Sequence, residues 1–179
     1  MIAWRMLWKD WGFAPALFSQ AKYFLALARD SAPGNSQEGL IRASIVFFLM
    51  SFEAFFLELV KGYIQQNRAK LNEEYPEAVA KVEEALEKKR PFSDAVDKWP
   101  KLLTGTSLNS TTEAHQNFLH LTEYRNCLVH GKISEPIPGW GKPAQDVETV
   151  DSAELAQRTV SAMLKMVSSH FGIAPPIWI

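Results

Sequence analysis

The sequence feature that most constrains the fold is the apolar run from Ile45 to Val60, IVFFLMSFEAFFLELV. This run is shorter than the ~20 residues that a bilayer-spanning helix needs, and it carries Glu53 and Glu58. A helix of this composition is apolar nearly all round, so other elements must cover most of its surface. We therefore predict the central core helix of a cytoplasmic protein, with no membrane segment.

Helical periodicity dominates the rest of the chain, and no alternating pattern typical of a strand is found. The prediction is an all-α bundle of four to five main helices. The expected helical ranges are 14–30, 38–68, 72–90, 111–130 and 151–170. Capping boxes predict three of the starts, with Asn35, Ser110 and Asp151 as the caps. The segment 91–105 is expected to be a loop or short helical turn, and 131–150, with three prolines, a long loop.

Length and composition exclude several classes of protein. A chain of 179 residues predicts one domain, 1–179, whose motif-bearing core is 14–170. The net charge of −1 excludes a protein that coats nucleic acid with its whole surface. The single cysteine, Cys127, excludes an internal disulfide framework and a Cys-rich zinc site. His115 and His120 are interpreted as solvated, so neither a metal nor a cofactor is predicted.

The segment EYRNCLVHG, at the end of the fourth main predicted helix, carries the most chemical information. On a helical wheel, the apolar positions Phe118, Leu121, Leu128 and Val129 fall within an arc of about 100°. Arg125 falls inside the same arc. Asn126 and His130 lie about 40° apart on a neighbouring flank, one turn from each other.

An inward-facing arginine needs a partner, because burying an unpaired charge costs several kcal/mol. Glu53 interrupts the apolar middle of the long helix and is the acid best placed to supply one. We therefore predict that Glu53 lies near Arg125 of the same chain or of a second copy. A purely structural ion pair in an unrelated helical bundle stays open as an alternative.

His130 adds a titratable group to this arrangement. It lies in the last turn of its helix, where the negative end of the dipole favours the imidazolium form. Metal-free RNA cleavage needs a group that takes the proton of the 2′-hydroxyl, one that protonates the leaving 5′-oxygen, and a cation that stabilises the phosphorane. A histidine and an arginine supply these functions, and arginine binds phosphate oxygens in a bidentate geometry.

The motif RNCLVHG resembles the R-x(4–6)-H signature of the HEPN superfamily, and the order of elements around it is also similar. The resemblance implies an all-α bundle that dimerises with the signature helices of two chains facing each other. It also implies metal-independent endoribonuclease activity, as in a toxin or a defence component. Arg125 would then stabilise the phosphate, His130 would act as general base or acid, Asn126 would orient both, and Glu53 would correspond to the acid on the long helix.

The implied dimer also solves a geometric difficulty. Arg125 and His130 are about 140° apart on one helix, so a twofold axis is needed to bring one chain's arginine to the other chain's histidine. Lys132, Trp140 and Lys142 in the following loop are weaker candidates for binding RNA. An inactive HEPN-like module that binds a nucleotide or a protein is the alternative function, and a nucleotidyltransferase-like antitoxin is a further expected partner of a toxin.

Overall fold

The computed structural model describes residues 13–87, 92–130, 132, 134–137 and 141–179. Trp140, predicted to bind substrate, lies outside these residues. The described part of the chain contains six α-helices, one short 3₁₀ turn and no β-strand. The helices are α1 (Phe13–Asp30), α2 (Asn35–Glu74), α3 (Pro76–Glu87), α4 (Phe92–Thr104), α5 (Glu113–Val129) and α6 (Val150–His170). The predicted all-α class is confirmed.

Helix α2 is the centre of the fold, as its apolar run predicts. It packs most extensively against α1 and next against α6. Rings on α2 also contact α1 and α5 in the core: the centroids of Phe48 and Phe18 on α1 are 5.1 Å apart, and those of Phe52 and Phe118 on α5 are 4.9 Å apart. By length and composition α2 could also cross a membrane, and 56% of its most apolar 18-residue window is buried within the fold.

Helix α4 corrects the prediction of a loop or short turn between residues 91 and 105. Pro91 and Pro100 favour a break in the sequence pattern. The helix nevertheless forms because Phe92, Val96 and Trp99 recur on one face and are all buried. Trp99 stacks on Phe56 of α2, with the ring centroids 6.0 Å apart. This packing outweighs the loss of one backbone donor at Pro100.

The helix caps also differ from the predicted ones. Helix α2 begins at Asn35 itself, after Gly34, whose φ of 146° only glycine adopts without strain. The side chain of Thr112 caps α5 by accepting the backbone N–H of His115. The side chain of Thr149 caps α6 in the same way, in place of the predicted Asp151. In all three cases a neighbour one or two residues away takes the capping position.

The predicted long loop between α5 and α6 contains local structure. The backbone N–H of Ile137 donates to the carbonyl of Lys142 at 2.8 Å. A 3₁₀ turn follows over Ala144–Val147. Ile137, Val147 and Glu148 are all buried. Three inward side chains therefore attach this segment to the helical core, immediately after the predicted site.

Candidate functional site

The charge pair predicted between the two long helices is present within one chain. Arg125 on α5 donates from Nη1 to Oε2 of Glu53 on α2 at 3.0 Å. The two side chains are 29% and 34% exposed, respectively. The pair therefore lies at the margin of the core, where solvent reaches both partners. The predicted proximity of Glu53 and Arg125 is confirmed.

The position of Arg125 inside the apolar arc is a prediction that needs correction. In the second half of α5 the fully buried face is formed by Leu121 and Tyr124, and Cys127 is also buried. The buried face turns along α5, since His115 and Phe118 are the covered side chains earlier in the helix. Arg125 is thus at the edge of this face and remains accessible.

The hydrogen bonding of Arg125 within the described residues engages one of its guanidinium donors. A guanidinium carries five N–H donors in a planar fork. Glu53 occupies one of them, and no further acceptor of Arg125 is found among the residues the structure describes. Its remaining donors are suited to a bidentate contact with a phosphate or a carboxylate. Glu53 therefore orients the guanidinium without saturating it.

A second arginine, Arg42 on α2, pairs with a buried carboxylate instead of a partly exposed one. Arg42 donates from Nε and Nη2 to the two carboxylate oxygens of Glu148, at 2.9 and 2.6 Å. The Glu148 side chain is 1% exposed and also accepts the hydroxyl of buried Tyr124 at 3.1 Å. Burial, and next the charge of Glu148, raise the pKa of Tyr124, so this phenol remains a hydrogen-bond donor. The three residues, here called the Glu148 cluster, form a hydrogen-bonded network around a buried carboxylate.

His130 and Asn126 lie on the accessible side of α5. His130 is the C-cap residue and is exposed, and its backbone N–H donates to the carbonyl of Asn126 at 3.0 Å. The Asn126 side chain is half-buried. No hydrogen bond joins Arg125 to His130 in the described part of the chain. One protomer therefore presents both groups at the end of one helix but does not combine them.

Two of the other predicted substrate-binding residues, Lys132 and Lys142, lie in the described part of the chain. Lys132 and Lys142 are both exposed after His130, and Lys132 pairs with Glu135 at 3.4 Å.

A cleft of about 350 Å³ begins at Glu53 and extends towards Lys61 on α2. Its remaining lining is mainly apolar and comes from α2, α3 and α4, namely Leu57, Ala85, Leu86, Phe92, Ala95 and Trp99.

The histidine predicted to be solvated at position 115 is buried instead. Its Nε2 lies 2.8 Å from Oδ1 of Asp97 on α4, and 2% of its side chain is exposed. Sequence patterns do not indicate this contact, because they predict a loop or short turn where the helix that carries Asp97 forms. Within the described ranges, no group of three or more His, Cys, Asp or Glu side chains is arranged to hold a metal ion.

Comparison of the chain with protein-family models, curated proteins and solved structures gives no match. The function is therefore argued from the motif and the geometry of its side chains.

Proposed function

We propose that the protein is a cytoplasmic, metal-independent endoribonuclease of HEPN type, acting as a toxin or defence component. The reaction is attack of a 2′-hydroxyl on the adjacent phosphate, which breaks the bond to the 5′-oxygen. The products are a 2′,3′-cyclic phosphate and a 5′-hydroxyl. The observation that carries this proposal is the unsaturated guanidinium of Arg125, held by Glu53 five residues before an exposed histidine.

The residue roles follow from what each side chain can donate or accept. Arg125 binds the non-bridging oxygens and stabilises the extra charge of the phosphorane. His130, exposed at the helix end, takes the 2′-hydroxyl proton or protonates the 5′-oxygen. Asn126 orients both groups through its amide. Glu53 fixes the direction of the guanidinium through its single hydrogen bond.

A homodimer supplies what one protomer lacks. Arg125 and His130 are five residues apart on a helix, about 140° around its axis. A twofold axis beside the end of α5 brings the arginine of one chain to the histidine of its partner, twice per dimer. Lys132 and Lys142 in the following segment, together with Trp140, then contact the RNA on either side of the cleaved bond.

A second function is favoured by the charge distribution. The chain has a net charge of −1, and Glu135 partly neutralises Lys132 beside the site. RNA affinity depends strongly on phosphate contacts by cations. These two observations favour an inactive module that binds a nucleotide or a protein through Arg125. If the protein is instead a toxin, the partner that we propose for it is a nucleotidyltransferase-like antitoxin.

Cleavage of RNA in the presence of a chelator separates the two functions. We expect the parent protein to cleave and Arg125→Ala and His130→Ala each to lose at least about a hundredfold in rate. Arg158→Ala is the matched control, since Arg158 is an exposed arginine on α6 that pairs with Glu154. Cleavage lost in the first two folded variants and kept in the control supports the nuclease. Equal inactivity of the parent and all variants overturns it and favours the binding module.

A further inference from the structure

The Glu148 cluster carries an inference that rests on the proposed function and deepens it. We propose that Arg42, Tyr124 and Glu148 are positioning residues. They fix the rotation of the last turns of α5, and thereby the direction of Arg125. They also hold the described residues at the end of the α5–α6 connection, 141–147, against the bundle. None of the three was singled out by the motif.

The cluster joins three parts of the chain that meet beside the site. Arg42 comes from α2, Tyr124 from α5, and Glu148 from the residue before the cap of α6. Oε1 of Glu148 accepts both Arg42 Nε and the Tyr124 hydroxyl, while Oε2 accepts Arg42 Nη2. An almost fully buried carboxylate with these partners has little freedom to change its position.

Tyr124 connects this network to the candidate site because it directly precedes Arg125. Neighbouring side chains on a helix point about 100° apart, so fixing the direction of one also fixes the other. The Phe52–Phe118 contact holds the first half of α5 against α2. The second half is joined to α2 by the accessible Arg125–Glu53 pair and, through Glu148, by Arg42. The cluster therefore adds a buried polar contact to the apolar packing of this half of α5 and to the accessible Arg125–Glu53 pair.

Glu148 also attaches the segment that follows His130 to the core. Val147 and Glu148 are buried at its end, and Ile137 is buried near its middle. Lys142 lies between these points and bonds Ile137 through its carbonyl. Neutralising Glu148 weakens the attachment of the segment at its end and gives Lys142 more freedom relative to α5.

The test compares Glu148→Gln and Tyr124→Phe with Glu154→Gln. Glu154 is a matched control, because Arg29 on α1 donates to it from Nε and Nη2, at 3.1 and 2.6 Å, without involving α5. The readouts are kcat and KM for RNA cleavage in chelator and amide hydrogen exchange over 132–147. Both mutations at the cluster should lower kcat roughly tenfold or more, with KM within about twofold, because a displacement of ~1 Å at a reacting group costs up to a hundredfold in rate.

The exchange measurement does not depend on cleavage. We expect Glu148→Gln to accelerate exchange over 132–147 at least about tenfold, whereas Glu154→Gln leaves it unchanged. Equal kcat and equal exchange in the two Gln variants would overturn the inference. If the parent protein cleaves no RNA, the proposed function fails. In that case unchanged exchange in Glu148→Gln refutes the role of Glu148 in attaching the segment. Faster exchange supports this role of Glu148 but not the orientation of Arg125 for catalysis.

Discussion

Removing the acids of the Arg42–Glu148 and Arg125–Glu53 pairs should affect stability very differently. Glu148→Ala removes a carboxylate that is 1% exposed and accepts three hydrogen bonds. Glu53→Ala removes one that is 34% exposed and accepts a single hydrogen bond from Arg125. The two substitutions delete the same group from the same type of pair, so they compare the environments of the two pairs.

The expected magnitudes follow from burial and from the partners left behind. Without Glu148, the hydroxyl of buried Tyr124 loses the hydrogen bond that it donates to the carboxylate, and the buried carboxylate site is emptied, which costs about 3 kcal/mol, while the 41% exposed Arg42 is rehydrated. Without Glu53, the partly exposed Arg125 is rehydrated, which costs about 0.5–1 kcal/mol. For a chain of this length, the corresponding decreases in Tm are about 9 °C and about 2 °C.

Urea denaturation followed by circular dichroism measures both free energies of unfolding. The midpoint should decrease much more for Glu148→Ala than for Glu53→Ala, with an unchanged m-value in both variants. Equal losses of stability would refute the distinction between the pair with the buried Glu148 carboxylate and the pair with the accessible Glu53 carboxylate. A larger loss for Glu53→Ala would identify the Arg125 pair as the structural one and remove the main support for a site there.

Two further predictions concern the end of α6. Burial lowers the pKa of His170. Below about pH 6.5 the unfolded chain therefore binds more protons than the folded one, and stability falls as the pH falls. Between about pH 7.5 and about pH 5.5 the Tm of His170→Gln should decrease less than that of the parent protein, and equal slopes of Tm against pH would contradict this role. Gly172 follows the helix with φ of 70°, so Gly172→Ala should lower the free energy of unfolding by about 1 kcal/mol in urea denaturation, and a neutral result would show that the turn relaxes.

The sequence predicts those features that arise from strong local patterns. The apolar run of α2 requires a central helix, and two inward charges on long helices predict the Glu53–Arg125 pair. The Glu148 cluster is not predictable in this way, since Arg42 and Glu148 are 106 residues apart and only tertiary packing brings them together. The burial of His115 also depends on another element, because its partner Asp97 lies on α4.

The helical wheel of α5 shows a second limit of sequence patterns. A single apolar arc assumes that one face is buried along the whole helix. Helix α5 instead buries Phe118 in its first half and Tyr124 with Cys127 in its second half. Arg125 is thereby displaced from the centre of the predicted arc to its edge, where its side chain is 29% exposed to solvent.

Mixing two inactive variants tests the composite dimer site most directly. Arg125→Ala and His130→Ala are each assayed alone for RNA cleavage in chelator, then unfolded together, refolded as a mixture and assayed again. If each site combines Arg125 of one chain with His130 of its partner, about half of the random dimers are mixed and one of their two sites is intact. The mixture should then recover about a quarter of the parent activity. A refolded, dimeric mixture that remains as inactive as the separate variants would contradict the composite site.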